Sequence, residues 1–167
     1  MLFDSYCHFE KITDITPEIL KKINADTLFL DIDNTIKKYG DNKVSPQVHN
    51  WLDKIKNSGV KIILCSNNYK RNVKPFADSL SLPFVHFCLK PSPFGYTRAL
   101  IKSGSKRKNV LVCGDQVFND ILGAKLTFIR SALIEPIDCS NESSTVKLRR
   151  RVFKWAYNRN INRKNPF

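Results

Sequence analysis

The chain has 167 residues, of which 42% are hydrophobic and 26% charged, a composition typical of one globular domain rather than of a disordered chain. Its net charge of +13 predicts attraction to an anionic partner, which can be nucleic acid, anionic lipid headgroups or a phosphorylated substrate. The apolar runs are too short to span a bilayer and residues 1–5 lack a signal-peptide pattern, so we expect an unprocessed, cytoplasmic protein.

The first part of the chain alternates helices with short apolar runs. Thr16-Pro17 predicts the start of a short helix, because threonine caps a helix and proline suits its first position. The apolar run at residues 27–32 predicts the first strand. Ser45-Pro46 predicts the start of the next helix by the same reasoning, and residues 60–65 predict the second strand.

The alternation continues to residue 136. Helices are predicted to start at Asn67-Asn68, at Ser92-Pro93 and near Val117. The remaining strands are predicted at residues 84–87, 109–113 and 128–134. Strands that alternate with helices indicate a parallel sheet with right-handed crossovers. We therefore expect a doubly wound, Rossmann-like α/β domain with helices on both faces of the sheet.

The first predicted strand ends in two carboxylates, Asp31 and Asp33. Residues two apart on a strand point to the same side, while Ile32 between them points into the core. Two carboxylates this close repel each other and lose solvation, so the pair is costly without a cation or a shared proton. The pair therefore predicts a functional site.

Polar side chains also follow the other predicted strands. Ser66 and Asn67 follow the second strand, Lys90 follows the third, and Asp115 follows the fourth, with Asp120 about one turn into the next helix. Ligands of parallel α/β sheets bind at the carboxyl ends of the strands. Carboxylates together with a lysine and backbone amides suit Mg²⁺ and a phosphate group.

Each of these residues also has a structural explanation. Asp115 and Ser66-Asn67 precede predicted helices, where such residues are common N-caps, although a helix N-terminus is also a phosphate site. Lys90 could be an ordinary solvated lysine. Asp120 could form a salt bridge within its own helix.

The motifs Asp-x-Asp-x-Thr, Ser-Asn, Lys-Pro and Gly-Asp-Gln-x-x-x-Asp occur in this order, each at a predicted strand end. Together they resemble the four motifs of the haloacid dehalogenase (HAD) superfamily of phosphatases. More narrowly, the chain is similar to subfamily IIIA phosphatases of the YqeG type, which are related to the mitochondrial phosphatidylglycerophosphate phosphatase. The resemblance implies a Mg²⁺-dependent phosphomonoester hydrolase that forms an aspartyl phosphate, with phosphatidylglycerophosphate as the expected substrate.

The resemblance also implies a role for each motif residue. Asp31 is expected to be the nucleophile, and Asp33 the general acid and then the general base. The metal ligands are expected to be Asp31, the backbone carbonyl of Asp33, and Asp115. The groups expected to bind the phosphoryl oxygens are Ser66, the Asn67 amide and Lys90. The residues expected to support them are Thr35 and Asp120, the latter by orienting Lys90 or a metal-bound water.

The spacing of the motifs leaves no room for a large cap domain. Only residues 37–43 separate the first motif from the next helix, and only residues 68–89 separate the second motif from the third. An uncapped site is open and suits a bulky or surface-bound substrate. A nucleotide, a sugar phosphate or a nucleic-acid end remains an alternative substrate, and a non-enzymatic module that binds RNA or protein remains an alternative function.

Residues 137–167 are predicted to form a polar linker and a basic amphipathic helix after the phosphatase domain at 1–136. The basic residues beyond Glu142, the last acidic residue, are Lys147, Arg149, Arg150, Arg151, Lys154, Arg159, Arg163 and Lys164. Apolar residues recur at helical spacing at Leu148, Val152, Trp155 and Ala156, with Phe153 and Tyr157 adjacent.

This helix has two main interpretations. It could bind an anionic membrane surface, with Trp155, Phe153 and Tyr157 at the interface. It could instead pack its apolar face on the domain and leave its arginines in solvent. Contact with nucleic acid is a third, less favoured interpretation.

Overall fold

The computed structural model describes residues 7–140 and 142–160, which contain six strands and six helices. The strands β1 to β6 are Cys7–Phe9, Thr27–Leu30, Lys61–Cys65, Phe84–Val85, Val110–Gly114 and Arg130–Ile134. The helices α1 to α6 are Pro17–Lys22, Pro46–Asn57, Lys70–Ser79, Phe94–Ser103, Leu122–Leu126 and Ser144–Asn160. A π-helical turn at Val117–Ile121 leads directly into α5.

All strand pairs in the sheet are parallel, in the order β1-β6-β5-β2-β3-β4. Leu30 at the end of β2 lies opposite Cys113 of β5 and Leu64 of β3. The backbone amide of Asp31 donates to the carbonyl of Cys113 over 2.9 Å, which extends this pairing by one residue. The three central strands therefore end at the same edge of the sheet, and the residues that follow them come together there.

Alternate residues of the central strands contribute to two separate hydrophobic layers. Leu28 and Leu30 of β2 pack in the layer that includes α1, α2 and α3, whereas Phe29 between them packs against α4. All three side chains are fully buried. A strand buried on both faces needs apolar residues at every position. The predicted doubly wound arrangement with helices on both faces is therefore confirmed.

Two of the predicted helix starts are confirmed in detail. The Thr16 hydroxyl accepts a hydrogen bond from the Ile19 amide, and the Ser45 hydroxyl accepts one from the Val48 amide. The predicted cap of α3 at Asn67-Asn68 is wrong, because this helix begins at Lys70 without a side-chain cap. The side chain of Asn67 instead bonds the backbone of a neighbouring loop.

Strand ends differ from the predictions by a few residues. Strand β4 ends before Phe87 and β6 begins after Phe128, since both residues are exposed and have positive φ angles of 47° and 59°. Strand β2 ends at Leu30 rather than at residue 32. The sequence analysis missed β1, a three-residue edge strand that pairs with β6.

The C-terminal helix is present, but its buried face is not the predicted one. Tyr157 is buried and Phe153 packs beside it, whereas Leu148, Val152 and Trp155 are 64%, 52% and 62% exposed. Phe153 and Tyr157 thus pack on the domain rather than at an exposed interface. The side chains of Ala156 and Arg159, and the whole of Arg163 and Lys164, lie outside the described residues.

Among the described residues there is no large cap domain, in agreement with the short distances between the motifs. The described helices include none that combines the length and apolar character needed to cross a membrane.

Candidate active site

Three carboxylates converge at the carboxyl edge of the sheet. Asp31 follows β2, Asp115 follows β5, and Asp120 lies in the π-helical turn, and one oxygen of each lies within 4.8 Å of the others. Asp115 and Asp120 are buried. Asp33 is not in this cluster, but it lines a cavity that opens beside the cluster. The structure thus places Asp120 beside Asp31 and Asp115, the two carboxylates expected from the resemblance to bind a metal.

Gly114 allows Asp120 to reach this cluster. A Cβ atom on Gly114 would lie 2.2 Å from the carboxylate carbon of Asp120, closer than non-bonded atoms can approach. The Asp120 carboxylate also accepts a hydrogen bond from the Gln116 amide over 3.1 Å. The glycine of the fourth motif therefore provides the space that the Asp120 side chain occupies.

Lys90 links two of the three carboxylates. Its ammonium donates to Asp31, to Asp120 over 2.7 Å and to the Cys65 carbonyl over 3.0 Å, and its side chain is 2% exposed. Burial alone would lower the pKa of Lys90, but the carboxylates of Asp120 and Asp31 raise it well above its usual value. Lys90 is therefore a buried cation, and Asp120 pairs with it rather than with a residue of its own helix.

Asn67 fixes the loop that carries Lys90. Its side-chain oxygen accepts from the Lys90 amide over 2.7 Å, and its side-chain nitrogen donates to the Lys90 carbonyl over 3.2 Å. The Ser66 hydroxyl accepts from the Asn68 amide over 3.1 Å. The second and third motifs are thus joined by hydrogen bonds at the edge of the cavity.

Asp33 is held by two residues that the motifs do not include as site residues. The Lys37 ammonium and the Asn68 side-chain amide each donate to the Asp33 carboxylate, the latter over 3.1 Å. Lys37 is buried although it is charged. No signal in the sequence indicated this pair, because Asp33 and Lys37 lie at the ends of a turn rather than on a helix, where four-residue spacing brings side chains together.

The C-terminal helix contributes a second cation to the site. The guanidinium of Arg150 donates to the Asp115 carboxylate over 2.6 Å and also pairs with Glu142. Asn34 donates to Glu142 over 2.8 Å, and Thr35 donates to Asp115 over 3.4 Å. The sequence analysis missed Arg150 and Glu142 as site residues, because nothing in a run of three arginines singles out the middle one.

Two carboxylates of the cluster, those of Asp31 and Asp115, are costly to ionise. Burial raises the pKa of Asp31 well above its usual value, although Lys90 opposes this effect. Burial also raises the pKa of Asp115 to about 6, against the lowering effect of Arg150. Three converging carboxylates offer only hard oxygen ligands. The donor set therefore fits a hard divalent cation such as Mg²⁺.

A cavity of about 320 Å³ opens beside the cluster. Residues of all four motifs line it, and so do residues of the C-terminal segment. The residues that contribute to its wall include Asp31, Asp33, Ser66, Asn67, Lys90, Asp120, Glu142, Ser143 and Val146. Except for Thr35 and Asp115, which lie behind the wall and contact each other, every residue that the sequence assigns to the site borders this space.

Comparison with known proteins gives one family and several similar folds. The model of the haloacid dehalogenase-like hydrolases matches residues 8–126. The chain is 32% identical over 132 residues to "Probable phosphatase YqeG" of Bacillus subtilis, covering 79% of this chain and 77% of that protein.

Two solved structures share the fold at low sequence identity. A 4-nitrophenylphosphatase from Thermotoga maritima is 13% identical, with a TM-score of 0.52 over 71% of this chain and 89% of that chain. An uncharacterized protein from Listeria monocytogenes serotype 4b is also 13% identical, with a TM-score of 0.56 over 72% and 84%.

Proposed function

We propose a function from the premise that the chain belongs to the haloacid dehalogenase-like hydrolase family. The protein is an enzyme of the phosphatase type. We propose that it hydrolyses phosphomonoesters through a phosphorylated Asp31. The observation that carries this proposal is the convergence of Asp31, Asp115 and Asp120 beside Lys90, at a cavity that Asp33 also lines.

The proposed reaction has two steps. In the first, a carboxylate oxygen of Asp31 bonds to phosphorus, the bond to the leaving oxygen breaks, and Asp33 gives that oxygen its proton. In the second, Asp33 takes a proton from water, whose oxygen bonds to phosphorus as the Asp31–phosphate bond breaks. The products are an alcohol and inorganic phosphate. Lys90, Ser66 and the Asn67 amide are proposed to bind the phosphoryl oxygens.

Asp31, the Asp33 carbonyl and Asp115 are proposed to hold Mg²⁺, with Asp120 as the third carboxylate of the cluster. A divalent cation would offset the negative charge that the nucleophile and the phosphate bring together. Lys90 is already paired with Asp31 and Asp120, so it holds the proposed nucleophile beside another carboxylate of the cluster.

Substitution of Asp31 tests this assignment. We expect Asp31→Asn to abolish hydrolysis of 4-nitrophenyl phosphate in the presence of Mg²⁺, because an amide cannot replace the carboxylate nucleophile, and to leave the circular dichroism spectrum unchanged. Asp53→Asn on the exposed side of α2 is the matched control and should hydrolyse the ester like the unaltered protein. Near-full activity of Asp31→Asn would show that Asp31 is not the nucleophile.

We further propose that the physiological substrate is a lipid phosphomonoester of the phosphatidylglycerophosphate type, met at an anionic membrane surface. Three observations support this proposal. The described residues form no large cap over the site, the helix that lines it is basic, and Leu148, Val152 and Trp155 form an exposed apolar stripe on that helix. Basic helices with such stripes bind anionic lipid surfaces.

Vesicles that carry phosphatidylglycerophosphate test the lipid substrate. We expect Mg²⁺-dependent phosphate release from them, and a loss of vesicle binding when Leu148, Val152 and Trp155 are all replaced by serine. The same triple variant should hydrolyse 4-nitrophenyl phosphate normally. Turnover of soluble esters or phosphate-ended oligonucleotides without any turnover of the lipid would reject the lipid assignment and favour the alternative substrates.

A further inference from the structure

We propose that Arg150 is a positioning residue for Asp115, and that helix α6 is therefore part of the catalytic unit. The proposal rests on the proposed function, in which Asp115 holds a divalent cation. The family model matches residues 8–126, so Arg150 lies outside the residues that this model matches. The four motifs do not include Arg150, and the sequence indicates only that it belongs to a basic helix.

Both arms of the Arg150 guanidinium bind one residue. One nitrogen donates to the backbone carbonyl of Asp115 over 2.8 Å, and another donates to its carboxylate oxygen Oδ2 over 2.6 Å. A guanidinium that holds a carbonyl and a carboxylate oxygen together fixes the side-chain torsions of that aspartate. The other oxygen, Oδ1, accepts from Thr35 over 3.4 Å, so the guanidinium does not occupy it.

Arg150 is itself held on its other side by the first motif. Its guanidinium pairs with Glu142, and Glu142 accepts from Asn34, which directly follows Asp33. The side chains of Arg150, Glu142 and Asp115 are 13%, 4% and 0% exposed. A chain of contacts thus runs from the first motif through the C-terminal segment to the fourth motif. Buried charges of this kind are costly, which argues for a role beyond attachment of a tail.

Helix α6 is anchored firmly enough to place Arg150. Tyr157 is buried against Val117 and Ile121 of the π-helical turn. Lys154 pairs with Glu135 over 2.6 Å, and Arg149 donates to Gln116 over 2.8 Å. The contacts of Tyr157 and Arg149 attach α6 to the turn that carries Asp120, and that of Lys154 attaches it to the residue after β6.

Substitutions at Arg150 separate position from charge. Arg150→Lys keeps the charge but lacks the planar guanidinium whose two nitrogens bind the Asp115 carbonyl and Oδ2. We expect it to weaken Mn²⁺ binding, measured by electron paramagnetic resonance without substrate, by about tenfold, and to lower kcat for 4-nitrophenyl phosphate by about 10- to 100-fold. KM for the ester should change little. Arg151→Ala removes the exposed neighbouring arginine and should match the unaltered protein in both measurements.

Arg150→Ala adds a test by chemical rescue. We expect guanidinium chloride at low millimolar concentration to restore part of its kcat, whereas sodium chloride at the same ionic strength should not. If this variant does not fold, as judged by circular dichroism, Arg150→Lys decides the question alone. Unchanged Mn²⁺ binding and kcat in Arg150→Lys would overturn the proposal. A rise of either quantity in Arg150→Ala would also overturn it, because the guanidinium would then compete with the cation.

The measurements distinguish a failure of the positioning role of Arg150 from a failure of the proposed function. If the unaltered protein hydrolyses no phosphomonoester, the function is wrong, while Mn²⁺ binding still reports on Arg150. If the protein is active and Arg150→Lys binds Mn²⁺ and turns over normally, the function stands and the positioning role is wrong.

Discussion

At the residue scale, the site is a balance of buried charges. Asp31 and Asp120 share the Lys90 ammonium, and Asp115 shares the Arg150 guanidinium with Glu142. An ion pair of this kind adds little net stability compared with apolar residues, but removal of one partner leaves an uncompensated buried charge. The chemistry therefore depends on residues that are individually costly to the fold.

Replacement of Lys90 should show this cost. Lys90→Met leaves Asp31 and Asp120 buried without their cation, so we expect the free energy of unfolding in urea to fall by about 3–5 kcal/mol and phosphatase activity to be lost. The matched control is Lys74→Met, because Lys74 forms an exposed pair with Asp78. This substitution should lower the free energy of unfolding by no more than about 0.5 kcal/mol. Equal losses in the two variants would contradict the role of Lys90 as a buried counter-ion.

At the element scale, local sequence decided the starts of α1 and α2, whereas a tertiary contact decided the fate of the cap predicted for α3. Thr16 and Ser45 cap their helices as expected, because a cap needs only its own helix. Asn67 does not, because its amide binds the backbone of Lys90, more than twenty residues away in the chain. Short-range propensity could not reveal that competing partner.

The attachment of α6 should depend on pH through Glu135. Burial alone would raise the pKa of Glu135, but Lys154 and His8 lower it below its ordinary value. A lowered acid pKa contributes stability above the ordinary pKa, and this contribution is lost as the pH falls through the lowered value. We expect the difference in melting temperature between the unaltered protein and Glu135→Gln to be present at neutral pH and to decrease as the pH falls through the lowered pKa of Glu135.

Lys154→Met provides the partner control for this prediction. At neutral pH, Lys154→Met should lower the melting temperature by most of the amount that Glu135→Gln does. Adding Glu135→Gln to Lys154→Met should then have little further effect. A melting-temperature difference that stays constant between pH 3 and pH 7 would show that the charge of Glu135 does not hold the helix.

At the scale of the whole molecule, the parallel sheet brings separate segments to one edge. Asp31, Asp115 and Asp120 come from two strand ends and a helical turn, and Arg150 comes from a helix after the last strand. Mutual repulsion of the carboxylates opposes folding in the absence of a cation. Cation binding should therefore stabilise the whole fold.

Mg²⁺ should raise the melting temperature, because it binds only the folded arrangement of carboxylates. At one hundred times its dissociation constant, a single bound ion stabilises a fold by about 2.7 kcal/mol. Calorimetric scans with Mg²⁺, with chelator and with sodium chloride at equal ionic strength measure this effect. Asp115→Asn should abolish the Mg²⁺-specific shift, and an undiminished shift in this variant would place the cation elsewhere.

The sequence by itself determined the fold class and the four motifs. Apolar runs alternate with amphipathic helices, so the pattern specifies strands buried on both faces, and parallel topology then brings the strand ends together. It predicted that Asp31, Asp115 and Lys90 would be neighbours before any distance was known. Their catalytic roles stay predictions that the variants above test.

Only the tertiary structure decided which other side chains enter the site. Arg149, Arg150 and Arg151 look alike in the sequence, yet only Arg150 is placed to bind Asp115. The same holds for the outward stripe of Leu148, Val152 and Trp155, since helical spacing defines a face but not the direction in which it points. Rotation of a helix about its axis is fixed by the surface on which it packs, and that surface exists only once the sheet has formed.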